Sequence, residues 1–169
     1  PWFMVLGESG SGKTTLLDHS GLHLPVGRPN EDIPRRPDGC KWWFFNQGIM
    51  LDVLGDFILR KDGTSSDQKC WESFLWLLQK HRSERPIDGV ILIIPSTDLI
   101  GPYGNLAERN IQAGYKASEI YEKLLTAQKI LGIRFPIYLL ITQCDRVRGF
   151  KSFCQEIPEN LHDDIFGWS

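Results

Sequence analysis

Apolar positions along this chain alternate between two periods. WFMVL (2–6), GVILIIP (89–95) and FPIYLLITQCD (135–145) are continuous apolar runs bounded by turn residues. Runs of that length predict strands, the last two buried on both faces of a parallel sheet. KWWFF (41–45) and IMLDV (49–53) flank Asn46-Gln47-Gly48, a tight connection that predicts a hairpin. The other period is helical. WESFLWLLQKHR (71–82) carries apolar residues at 71, 74, 75, 77 and 78, one face of a helix. Residues 103–131 predict a long helix with Leu106, Tyr115, Ile120, Leu124, Leu125 and Leu131 among its apolar positions. A short helix is predicted from Lys13 to a stop at Gly21, and another from Gly149 onward. The proline- and glycine-rich residues 21–40 read as a long exposed loop, and the polar residues 60–68 as a second loop. Strands alternating with helices mean an α/β fold with a largely parallel sheet.

Composition narrows the class. A chain of 169 residues, 41% hydrophobic and 24% charged, suits one soluble globular domain over 1–169. The net charge of −2, with no long basic block, argues against nucleic acid as a partner. No apolar run reaches the ~20 residues of a membrane span. Cys40, Cys70, Cys144 and Cys154 lack metal-ligand spacing and read as reduced thiols. The opening at Pro1 and the closing FGWS read as cuts, so the expectation is a piece excised from a larger protein.

The chemistry starts at residue 7. Gly7-Glu8-Ser9-Gly10-Ser11-Gly12-Lys13-Thr14 fits GxxxxGK[ST] at every fixed position, between an apolar strand and a helix. The glycines let the loop curl with its N–H groups inward, toward phosphate oxygens. Lys13 is expected to reach the β- and γ-phosphates, the Thr14 hydroxyl to ligate Mg²⁺, and Thr15 to join the nucleotide site. The positive end of the following helix adds to the attraction.

A second magnesium-holding group is expected at a neighbouring strand end. Asp52 follows Ile49-Met50-Leu51 and is the favoured candidate, ahead of Asp18 and Asp56. Asp52-Val53-Leu54-Gly55 also matches DxxG, the turn whose glycine N–H senses a γ-phosphate. Thr142-Gln143-Cys144-Asp145 ends a strand, where α/β folds place ligand-binding groups. It resembles the [NT]KxD motif of guanine-nucleotide binders, with Gln143 in place of lysine. Asp145 is a candidate for selecting guanine, but GTP and ATP both stay open.

Together these residues resemble the cytoplasmic NTPase domain of the TssM/IcmF family, the inner-membrane component of bacterial type VI secretion systems. PWFMVLGESGSGKTTLL is similar to that family's opening. Cys40-Lys41-Trp42-Trp43-Phe44 is similar to its Cys-x-Trp-Trp-Phe hairpin, with Ile49 to Gly55 as the strand and turn that follow. WESFLWLLQKHRSERPIDGVILIIPSTDLI (71–100), RFPIYLLITQCDRVRGFKSF (134–153) and FGWS extend the likeness over nearly the whole chain. The resemblance implies a P-loop, GTPase-like fold with a mostly parallel central sheet, one antiparallel hairpin strand and helices on both faces. It also implies a domain at the cytoplasmic face of the bacterial inner membrane, with other secretion-complex subunits as partners. Any contact with the membrane would run through segments outside this chain.

The departures bear on rate. Asp56 and Phe57 follow Gly55 where the family has an Arg-Tyr-type ending, and no water-orienting glutamine of the Ras type follows it. No threonine lies between Thr15 and Thr64 to act as a switch residue. The expectation is a slow NTPase switch using Mg²⁺ with GTP or ATP, its catalytic set Lys13, Thr14, Asp52 and Gly55. The alternative is a nucleotide-stabilised scaffold with little turnover; a small-molecule kinase ranks lower. Neither Asp56 nor Glu8 is favoured as a base, and Arg28, Arg35 and Arg36 read first as solvated loop charges. Trp42 and Trp43, adjacent on a strand, are expected on opposite faces, one outward or into a second layer.

Overall fold

The computed structural model describes residues 1–29, 39–59, 66–100, 106–161 and 166–167. Strands β1 (Trp2–Leu6), β2 (Cys40–Phe45), β3 (Gly48–Val53), β4 (Gly89–Pro95) and β5 (Ile137–Thr142) form one sheet in the order β2-β3-β1-β4-β5. β1 pairs in parallel with both β3 and β4, and β4 in parallel with β5. Only β2 runs antiparallel, closing the expected hairpin with β3. The helices are α1 (Lys13–Asp18), α2 (Gly55–Ile58), α3 (Ser66–His81), α4 (Ser96–Leu99), α5 (Leu106–Leu131) and α6 (Phe150–Gln155). The expected mostly parallel α/β architecture is what forms. Two single-turn helices, α2 and α4, arise where only strand ends were expected, and α3 begins within the stretch read as a loop.

Around β1 the sheet is covered on both faces. On one, Trp71, Phe74, Leu75 and Leu78 of α3 meet Ala127 and Leu131 of α5, over Met4, Leu6, Leu51 and Val90. These α3 positions follow the i, i+3, i+4, i+7 spacing that brings side chains onto one stripe. Trp71 is fully buried, and its indole N–H donates to the Lys123 carbonyl at 3.4 Å. On the other face α1 sets Leu17 against Val5, Trp43, Phe45 and Ile93. β1 lies at the centre, so Met4, Val5 and Leu6 are excluded from solvent on both sides. That burial gives the loop after Leu6 a rigid base.

Trp42 and Trp43 do part to opposite faces. Trp43 is buried on the α1 side, while Trp42 sits half-buried on the other, edge-on to Trp2 with ring centroids 5.3 Å apart. At the far end of the sheet, Asp88 accepts the Trp2 backbone N–H at 2.6 Å and pairs with Arg82 at 3.2 Å and Arg85 at 2.6 Å. Arg82 also lies over the Trp2 ring, 4.9 Å from its centroid. The arginines and aspartate of the RSERPIDGV stretch thus tie the start of β1 to the α3–β4 connection.

One expectation is corrected. β5 was expected to be a buried strand, yet Ile137, Tyr138, Leu139, Leu140 and Ile141 are 39–57% exposed. β5 is the last strand of the sheet, paired on one side only. Its apolar run reports strand propensity, and burial also requires a neighbour. None of the four cysteines is in a disulfide. Among the described residues no helix is long and apolar enough to cross a membrane.

Candidate nucleotide-binding site

Parallel pairing aligns the carboxyl ends of the strands, and the candidate residues collect there. Val5 is level with Asp52, Leu6 with Leu92, and Pro95 with Thr142. The loop that leaves β1 at Gly7 therefore emerges between the ends of β3 and β4. Gly12, at φ +93°, takes the left-handed turn that starts α1, a conformation costly to any residue with a Cβ. The Leu16 N–H then bonds the Gly12 carbonyl at 2.9 Å, closing the first helical turn.

Lys13 is buried beneath the loop it follows. Its ammonium donates to the Gly7 carbonyl at 2.8 Å and the Glu8 carbonyl at 2.9 Å, which holds the loop arched. The Ser11 N–H closes the arch onto the Glu8 carbonyl at 3.2 Å. The Ser11 hydroxyl is buried with no hydrogen-bond partner among the described residues.

Thr14 and Asp52 meet across the opening. The Thr14 hydroxyl donates to Asp52 Oδ2 at 3.0 Å, and Asp52 is buried while Thr14 is exposed. Ser9, Gly12, Thr14, Lys41, Asp52 and Gly55 line a cleft between the loop and the end of β3. The competing acid Asp18 lies at the other end of α1, paired with Arg28 at 2.5 Å. That contact also accounts for Arg28, the one described member of the three loop arginines. Arg35 and Arg36 lie outside the described residues, as does Thr64.

Gly55 opens α2 directly against the loop. A Cβ on it would lie 2.6 Å from the Glu8 carbonyl carbon and closer still to the Ser9 amide nitrogen. No side chain fits there, so the DxxG turn and the Gly7–Thr14 loop touch backbone to backbone.

The Thr142–Asp145 strand end divides its work. The Thr142 hydroxyl donates to the Ser11 carbonyl at 2.6 Å, and the Gln143 amide to the Gly10 carbonyl at 2.8 Å. Gln143 has φ +56°, the only non-glycine residue with positive φ among those described. The Ser96 hydroxyl bonds its carbonyl at 2.7 Å. Both side chains therefore brace the loop from outside. Asp145 is exposed and accepts no hydrogen bond among the described residues. Next to it, burial first and then the Asp145 charge push the Cys144 thiol above its ordinary pKa.

Three contributing residues carry no motif. Ser96 directly follows β4 and opens α4, and the rule that ligand groups gather at strand ends could have found it. Lys116 and Asp98 could not be found that way. Lys116 Nζ lies 3.1 and 3.0 Å from the two Glu8 carboxylate oxygens and 2.7 Å from Asp98. Burial alone would lower the Lys116 pKa, but the two carboxylates outweigh it and hold the ammonium above its ordinary value.

Comparison with known proteins agrees with this architecture. The chain is 34% identical over 174 aligned positions to the type VI secretion system component TssM1 of Pseudomonas aeruginosa. That match takes in 99% of this chain and 15% of the relative, so the chain spans about a seventh of that protein's length. Among solved structures, a probable GTP-binding protein engB superposes with a TM-score of 0.52 over 95% of this chain and 83% of its own, at 14% identity. At that identity the likeness speaks for the fold alone, a GTPase-like P-loop fold. The family model for the IcmF-related N-terminal domain matches residues 64–169. The chain belongs to the TssM/IcmF family.

Proposed function

We propose that this domain binds a nucleoside triphosphate, GTP or ATP, with Mg²⁺, and hydrolyses it slowly as a conformational switch. The switch would serve assembly of a type VI secretion membrane complex. The observation that carries this reading is the Thr14–Asp52 hydrogen bond across the mouth of the arched loop. It brings one hydroxyl and one carboxylate together beside the N–H groups that would cradle the phosphates. Magnesium favours such hard oxygen donors and usually completes its shell with phosphate oxygens and water. Among the described residues no cluster of three or more His, Cys, Asp or Glu could hold a metal ion without such help. The donor set fits Mg²⁺ held jointly with a nucleotide: Thr14 ligating directly, Asp52 through water. Bound there, the ion would neutralise charge on the phosphate oxygens.

Lys13 would lie under the β- and γ-phosphates, and the Gly55 N–H would bond the γ-phosphate. The backbone contact of Gly55 with Glu8 and Ser9 would then transmit loss of that phosphate to α2. Slow turnover follows from what the sequence lacks, a switch threonine and a water-orienting glutamine. Glu8 offers no substitute base, since Lys116 already holds both its carboxylate oxygens. Asp145 is the group available to a base edge. The domain would work at the cytoplasmic face of the bacterial inner membrane, anchored by other parts of the full-length protein and joined to other subunits.

Single-turnover hydrolysis of ATP and GTP with Mg²⁺, compared between wild type and Lys13→Ala, tests the reading. Loss of two charge-assisted hydrogen bonds and the phosphate contact predicts at least roughly a hundredfold slower turnover. Unchanged turnover in Lys13→Ala would sink the enzyme reading. Tight Mg²⁺-dependent binding with no turnover would favour the second reading, a nucleotide-stabilised scaffold of the same complex.

A further inference from the structure

A glutamate inside a phosphate-binding loop poses an electrostatic problem. Glu8 is the second residue of GESGSGKT, and its carbonyl already serves the arch by accepting Lys13 and Ser11. Its carboxylate therefore stands on the same few residues that would surround a polyanion. At separations of a few ångströms, even well-solvated like charges repel measurably.

Lys116 answers that charge from 108 residues away. Its ammonium spans both Glu8 oxygens and is held in place by Asp98 of α4 at 2.7 Å. Asp98 stands two residues after Ser96, whose hydroxyl grips the Gln143 carbonyl beside the loop. The three side chains are only partly exposed, at 36% for Lys116, 26% for Glu8 and 25% for Asp98. Lys116 thus joins the phosphate loop, the short helix α4 and the long helix α5 at one nitrogen.

We propose that Lys116 is a positioning residue of the phosphate loop, which draws the Glu8 carboxylate aside and neutralises it so that the loop can accept a polyphosphate. The proposal rests on the nucleotide-binding reading above and adds a component that no phosphate-loop motif contains. It also makes α5 a sensor of the loop, because any shift of Glu8 on nucleotide binding pulls on Lys116.

The test uses Lys116→Met, Glu8→Gln and the double variant, with fluorescent ATP and GTP plus Mg²⁺ as probes. Lys116→Met is expected to weaken binding roughly three- to tenfold, the size of an unscreened neighbouring carboxylate at partly solvated distances. The double variant is expected to recover most of that loss, since the loop itself then carries no carboxylate and Asp98 stands outside it on α4. Wild-type affinity in Lys116→Met overturns the proposal, and so does a double variant as weak as Lys116→Met. A second measurement needs no nucleotide: exchange of the Ser11 amide, which bonds the Glu8 carbonyl at 3.2 Å, is expected to quicken in Lys116→Met while β1 stays protected. A wild type that binds neither nucleotide defeats the functional reading. Exchange then decides alone whether Lys116 restrains the loop, and unchanged exchange overturns that restraint.

Discussion

The Thr14 hydroxyl lies 3.0 Å from Asp52 Oδ2, although 38 residues separate the two in the chain. Parallel pairing of β1 with β3 produces this meeting, because it brings the loop after β1 level with the last residues of β3. If the pair holds Mg²⁺ with a nucleotide, Asp52→Ala lowers the Mg²⁺-dependent part of nucleotide affinity by roughly 10- to 100-fold. Calorimetric titration with and without Mg²⁺ checks this. An equal loss in both conditions would instead mean that Asp52 only shapes the loop.

Gly55 and Gly114 make opposite predictions for the same substitution. A Cβ on Gly55 meets the Glu8–Ser9 backbone, whereas one on Gly114, exposed within α5, meets nothing within 4 Å among the described residues. Gly55→Ala is expected to destabilise the domain by about 1–3 kcal/mol through overpacking and to weaken nucleotide binding. Gly114→Ala is expected to stabilise it by roughly 0.5–1 kcal/mol, by favouring the helix. Denaturant unfolding of both variants reads the sign directly.

Asp88 predicts a pH dependence. Burial acts to raise its carboxyl pKa, but the Trp2 N–H, Arg82 and Arg85 outweigh it and hold the group below the ordinary aspartate value. The unfolded chain then binds the proton more readily than the folded one. The stability from Asp88 is fully present above the ordinary value of about 3.9 and is lost as pH falls through the lower folded value. Asp88→Asn keeps the shape but loses the charge, with an expected cost of about 1 kcal/mol near neutral pH. Its unfolding curve should approach that of wild type at the acid end. A constant gap from pH 7 to pH 3 would remove the electrostatic explanation.

Leu92 and Leu139 are register partners on β4 and β5, one 9% and the other 57% exposed. Leu92→Ala is expected to cost about 2–5 kcal/mol, because it leaves a cavity in the core. Leu139→Lys is expected to change stability by less than about 0.5 kcal/mol. It should also raise solubility, since a charge on an exposed apolar edge strand blocks edge-to-edge pairing. Thermal unfolding with light scattering tests both. A large drop in Tm for Leu139→Lys would mean that β5 is packed after all.

Much of the candidate site could be read before the fold was known, because its motifs are written at fixed spacing. Gly7 to Thr14 must be contiguous to form the arch that Lys13 closes, so the motif survives in one dimension. Asp52 and Gly55 were legible for a related reason: a strand end followed by a tight turn has its own local pattern. The roles of Thr142 and Gln143 were only half legible. Their position at a strand end was evident, but their hold on the Ser11 and Gly10 carbonyls depends on how β5 stands beside β4.

The sequence by itself determined the alternation of strands and helices, the glycine-rich loop after β1 and the hairpin, since these depend on local periodicity and backbone freedom. Tertiary structure alone decided which strand became the exposed edge. Apolar runs look alike whether or not a neighbour covers them, and only sheet order distinguishes β4 from β5. It alone also set Lys116 between Glu8 and Asp98. Charges distant in sequence pair only after packing has placed their elements, and no spacing rule records where packing will bring them.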